Sequence, residues 1–93
     1  MTDSTTIPRK LDGADVLFFA KTDGGSFVQC GEDRLPIVAL AIACYPGTSD
    51  HYLFSLDDSY EVIGDSDCHS VAEAMELAET SHRIKKDDWK HAV

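Results

Sequence analysis

Between Leu35 and His82 there is not one lysine or arginine, although this 93-residue chain carries eight such bases elsewhere. The same window holds nine carboxylates: Asp50, Asp57, Asp58, Glu61, Asp65, Asp67, Glu73, Glu76 and Glu79. The remainder has eight acids and eight bases, so the formal charge of −9 belongs entirely to this block. Such a chain lacks the basic footprint that sustained binding to nucleic-acid phosphate requires. It also lacks the ~18 uninterrupted apolar residues of a membrane span, and the length for more than one domain. Cysteine is scarce: Cys30, Cys44 and Cys68 are odd in number, without CxxC spacing, and make a poor disulfide framework. The segment Met1–Thr6 has neither the basic nor the apolar part of a signal peptide. Together these features predict a reducing cytoplasm. No internal repeat, low-complexity segment or linker divides the chain.

What is present suits a small folded domain. Apolar residues make up 43% and charged residues 27%, a globular rather than a disordered balance. At this length roughly 60–65% of the unfolded surface can be buried, so the core is thin. Residues 1–12 are polar and aperiodic and read as a flexible tail, leaving 13–93 as one domain.

Along that domain, Val16–Lys21 and Phe27–Cys30 are short β-prone runs split by Asp23-Gly24-Gly25, which predicts a hairpin. Gly31–Arg34 reads as a polar connection. Leu35–Tyr45 is the most apolar stretch, and its β-branched residues and the Pro46-Gly47 stop favour a strand. Alternation puts Ile37, Ala39, Ala41 and Ala43 on one face and Val38, Leu40, Ile42 and Cys44 on the other. Both faces are apolar, so this strand belongs in the interior of a sheet. Tyr52–Leu56 and Tyr60–Gly64, separated by Asp57-Asp58-Ser59, predict a second hairpin, closed by Asp65-Ser66-Asp67.

Ser70-Val71-Ala72-Glu73 has the spacing of a capping box, in which Ser70 accepts from the Glu73 amide and Glu73 reaches back to the Ser70 amide. It predicts a helix over about 71–82, with Val71, Ala74, Met75, Ala78 and His82 on the inward stripe. Glu73, Glu76 and Glu79 fall on the outward half. Trp89, the sole tryptophan, stands in a polar tail and is expected to pack back on the domain. The expected fold class is α+β: an antiparallel sheet of four to five strands, two hairpins around a central strand, with one C-terminal amphipathic helix on one face. That helix covers only one face. The N-terminal tail, the Trp89 segment or a second copy must cover the other, and a homodimer through the open face follows as one expectation.

The chemical motifs argue against catalysis. Adjacent Cys68 and His69 diverge, unlike the paired ligands of zinc sites. A helix N-terminus would activate the Cys68 thiol, but Asp65 and Asp67 oppose that. From Asp57, an EF-hand register would require Gly where Val62 stands and Glu where Cys68 stands, so a calcium loop fails. Asp57-Asp58 in a hairpin turn offers no cleft for paired-carboxylate chemistry, and Asp23-Gly24-Gly25 lacks the ending of a phosphate loop. No catalytic residue, metal or cofactor is expected.

Tyr52-Leu53-Phe54, Asp57, Val62, Gly64-Asp65, His69-Ser70, Glu73-Ala74 and Ala78-Glu79 resemble a group of small acidic bacterial proteins of uncharacterised role. The group shares a Tyr-Leu-Phe strand and a Ser-x-x-Glu-Ala helix. The resemblance covers about residues 52–79, departs at Tyr60 where the group carries Trp, and implies a bacterial source without an activity.

The leading expectation is a non-enzymatic module that binds a basic protein, in the manner of an immunity protein or regulatory partner. Asp57, Asp58, Glu61, Asp65, Asp67, Glu73, Glu76 and Glu79 are its candidate contacts. The bland alternative is a solvated acidic surface that maintains solubility. The second functional expectation is a homo-oligomeric domain with a ligand pocket beneath the helix, using Tyr52, Tyr60 or His69.

Overall fold

The computed structural model describes residues 9–22 and 25–91. The expected tail over residues 1–8 and the Asp23-Gly24 part of the first turn lie outside the described residues. The described chain runs β1 (Lys10–Leu11), β2 (Ala14–Lys21), β3 (Phe27–Cys30), β4 (Asp33–Pro36), β5 (Ala39–Cys44), β6 (His51–Leu56), β7 (Val62–Cys68), α1 (Val71–His82) and β8 (Lys90–His91). The strands form a curled antiparallel sheet ordered β1-β2-β5-β6-β7, with β8 also pairing β2, and a separate β3–β4 ribbon. The α+β class, the antiparallel sheet and the single C-terminal helix are as the sequence predicts.

Strand β5 lies between β2 and β6, in the interior position that its two apolar faces demand. Ala39, Ala41 and Ala43 pack with Val16, Phe19, Phe54 and Leu56. Leu40 and Ile42 face the helix with Ala20, Leu53, Ala74 and Ala78. Ile37 was expected beside the alanines but joins the helix-side cluster, because it precedes the strand and is not bound by its alternation. The three alanines leave room for the Phe19 and Phe54 rings from the flanking strands, an alternation of small and large that close packing requires.

The first predicted hairpin does not form. β2 pairs with β5, and β3 pairs instead with β4, which takes Asp33-Arg34 from the segment read as a polar connection and Leu35-Pro36 from the start of the stretch read as one apolar strand. The reason is burial. Val16 and Phe19 fill one cluster while Ala20 fills the other with Phe18 packed against it, so β2 needs an apolar partner. β3, with exposed Phe27 and Gln29, cannot supply that environment. Its own turn is the two-residue loop Gly31-Glu32, with Gly31 at φ 65, a conformation that glycine adopts without steric cost. Lys10 and Leu11, expected in the tail, form β1. Asp12 (φ 50) and Gly13 (φ 85) make its turn, the Asp-Gly pair that a primed hairpin turn favours.

The second hairpin is as predicted, with β6 and β7 paired from His51↔Cys68 to Leu56↔Val62. β7 continues through Asp65-Ser66-Asp67, so these residues extend the strand instead of forming the closing loop. Helix α1 spans Val71–His82, and the Ser70 hydroxyl accepts from the Glu73 amide at 3.1 Å. The reciprocal half of the cap differs: the Glu73 carboxylate accepts from the His69 amide at 3.0 Å, one residue earlier than expected. At the other end Arg83 adopts the left-handed conformation, its amide bonds Glu79, and Ile84 folds back to bond Ala78 and bury its side chain.

Trp89 packs on the helix side of the sheet, as its isolation predicted. The opposite cluster is closed within one chain: Ala39, Ala41 and Ala43 have no exposed surface, and Leu11, Tyr45, Tyr52 and Tyr60 pack around them. Covering the second face therefore makes no demand for a second subunit.

Candidate acidic binding site

The eight candidate carboxylates do not form one surface. Asp57 is absorbed by its own turn, where its Oδ1 accepts from the amides of Ser59 and Glu61, both at 2.9 Å. Asp58 and Glu61 are exposed beside it. Asp67 stands opposite Tyr52 and Asp65 opposite Phe54, which puts both acids on the sheet face turned away from the helix. Glu76 and Glu79 lie on the exposed side of the helix, so the sheet separates them from Asp65 and Asp67. Glu73 sits at the junction. It binds the His69 amide and, at 3.2 Å, the His69 ring, and these contacts hold its carboxyl below the usual range.

The side chains that do converge surround a concavity of about 450 Å³ where β6 begins and β7 ends, lined by Ser49, Asp50, His51, Tyr52, Asp67, Cys68 and His69. Tyr52 is its organising group. Its ring packs edge-on against Tyr45, with centroids 5.3 Å apart, and stacks on Phe54 at 6.0 Å. Its phenol is pushed above the ordinary value of 10.0, first by the Asp67 charge, then by burial and by the hydrogen bond to Asp67. His51 Nδ1 lies 2.9 Å from the Ser49 carbonyl. Of the residues expected to serve a ligand pocket, Tyr52 and His69 line this concavity. Tyr60 does not: it packs edge-on against Phe19. The space under the helix is filled by Leu40, Ile42, Leu53, Ala74 and Ala78.

The site is poorly arranged for nucleophilic chemistry. Cys68 is buried, and burial followed by the nearby Glu73 charge pushes its thiol up, away from the reactive thiolate. His69 pairs with Glu73 rather than with the thiol. Among the described residues no three His, Cys, Asp or Glu side chains converge as a metal site. No family model, curated protein or solved structure matches the chain. The chemistry of the described side chains therefore carries the functional reading. Asp67, on an exposed strand position, stands opposite Tyr52, so negative charge lies beside the Tyr45–Tyr52 pair.

Sequence reasoning singled out Asp65, Asp67, Tyr52 and His69. It passed over Tyr45 and His51 as binding groups and credited Asp50 only with charge. The β6–β7 register brings Asp50 and His51 to Asp67 and His69, and the β5–β6 register brings Tyr45 to Tyr52; no local pattern announces either.

Proposed function

We propose that this protein acts by binding a basic protein partner, and that it does so through the β6–β7 side of the sheet. The observation that supports this reading is the concentration of the whole net charge in residues 35–82, with Asp65 and Asp67 projecting beside Tyr52. A field of one sign steers an oppositely charged partner and aids discrimination among partners. A reducing, cytoplasmic setting belongs to the same proposal, in keeping with the free thiols of Cys44 and Cys68. Among the described residues no helix is long and apolar enough to cross a membrane.

The test is affinity capture from cells at physiological ionic strength, with partners identified by mass spectrometry. Two charge reversals are compared, Asp65→Lys with Asp67→Lys and Glu76→Lys with Glu79→Lys. Capture of a basic protein by the parent chain, lost on reversing the strand pair and kept on reversing the helix pair, is the expected result. Loss only with the helix pair would move the site to the helix. Retention by both would leave the acidity to serve solubility. The concavity beside Tyr52 favours a second reading, a small cationic ligand. Calorimetry with arginine and polyamines, repeated with Tyr52→Leu, tests it.

A further inference from the structure

The two edges of the main sheet are treated differently. On the outer side of β2, both β1 and β8 add hydrogen-bonded pairs. At the other edge β7, seven residues long, is paired among the described residues only with β6. The β3–β4 ribbon forms its own sheet and approaches β7 from the helix side, where Val28 lies near Gly64. Asp65, Ser66 and Asp67 are three consecutive exposed residues of β7. An edge strand turns the N–H and C=O groups of alternate residues outward, a template for one further strand.

We propose that β7 accepts an extended basic segment of the partner, which joins the sheet as an added strand carrying Lys or Arg at alternate positions. This rests on the basic-partner reading above and specifies how that partner is held. Charge chooses the occupant. Asp65 and Asp67 share one face and lie roughly 7 Å apart along the strand, the spacing of alternate residues, so cations on every second residue of an incoming strand meet both. A second copy of β7 is disfavoured. Paired antiparallel about Ser66, it would set Asp65 against Asp67 twice, and like charges directly opposite destabilise a ladder. The same two acids thus admit a basic strand and refuse self-pairing. Main-chain bonds would hold the segment and the two carboxylates would select it.

The experiment uses the full chain, a short capped peptide of alternating lysine and valine, and two N-methylated versions, one methylated at every lysine and one at every valine. Only one residue set of an added strand donates its amides to β7. Strand addition therefore predicts that one methylated peptide loses affinity by about tenfold or more while the other keeps it. Hydrogen exchange should show alternate amides between Val62 and Cys68 gaining protection. The Asp65→Lys, Asp67→Lys double variant should refuse the lysine peptide and accept one alternating glutamate with valine, with its fold checked by circular dichroism. Equal binding of all three lysine peptides, with unchanged exchange in β7, overturns strand addition and leaves the basic-partner reading standing. Failure of the lysine peptide to bind even at low ionic strength counts against both.

Discussion

Asp57 is a carboxylate with a local task, since its Oδ1 accepts from two amides of its own turn. Asp57→Ala should cost about 1–2 kcal/mol by leaving two amides without their charged acceptor, read as a shifted urea midpoint. Asp58→Ala beside it should change little. His82 shows a different balance. It ends the helix, where positive charge is ordinarily favoured, yet it is half-buried with Nδ1 3.1 Å from the Ser26 hydroxyl, and burial holds its pKa below the ordinary 6.5. The unfolded chain then binds a proton at His82 more readily than the native one. The stability this residue contributes is present above the unfolded value and is lost as pH falls through it toward the folded value. Denaturation midpoints measured from pH 7.5 down to pH 5, a window set by that ordinary value of about 6.5, should therefore decline, and His82→Gln should flatten part of the decline.

The helix is the element most legible in the sequence. Its cap, its extent and its inward residues depend on side chains within a few positions of one another, so the local pattern carries them. Ser70→Ala should cost about 1 kcal/mol, with Ser70→Asp restoring most of it, measured by chemical denaturation. The β6–β7 hairpin was legible for the same reason: its strands are separated by one short polar turn. The β2–β3 hairpin was misread because a turn signal at Asp23-Gly24-Gly25 says only that the chain bends there. Which strand a buried ribbon joins is a competition among all apolar strands, and β5, apolar on both faces, outbids β3 for β2. The Asp12-Gly13 and Gly31-Glu32 turns fall at the end of a stretch read as a tail and within one read as a polar connection, because their neighbours are polar and show no strand alternation.

On the scale of the whole molecule, the acidic block is one run in sequence and several groups in space. The helix acids and the strand acids leave the sheet from opposite sides, and Asp57 is tied into a turn. Asp65 and Asp67 put like charges on β7, the edge of the described sheet, and like charges disfavour pairing of such a strand with its own kind. Replacing both with threonine should leave the fold intact and raise self-association with concentration, followed by sedimentation. An unchanged monomer would show that edge protection resides elsewhere.

The sequence by itself determined the α+β class, the helix with its N-terminal serine cap, the interior place of a strand within residues 35–45 and the location of the net charge. Each is a local property of composition, periodicity or spacing. Only the tertiary structure decided that β2 joins β5, that β7 stands at the edge of the described sheet, and that Asp50, Tyr52 and Asp67 line one concavity with Tyr45 packed on Tyr52. Those outcomes depend on strand order and register, set by burial shared among segments far apart in the chain.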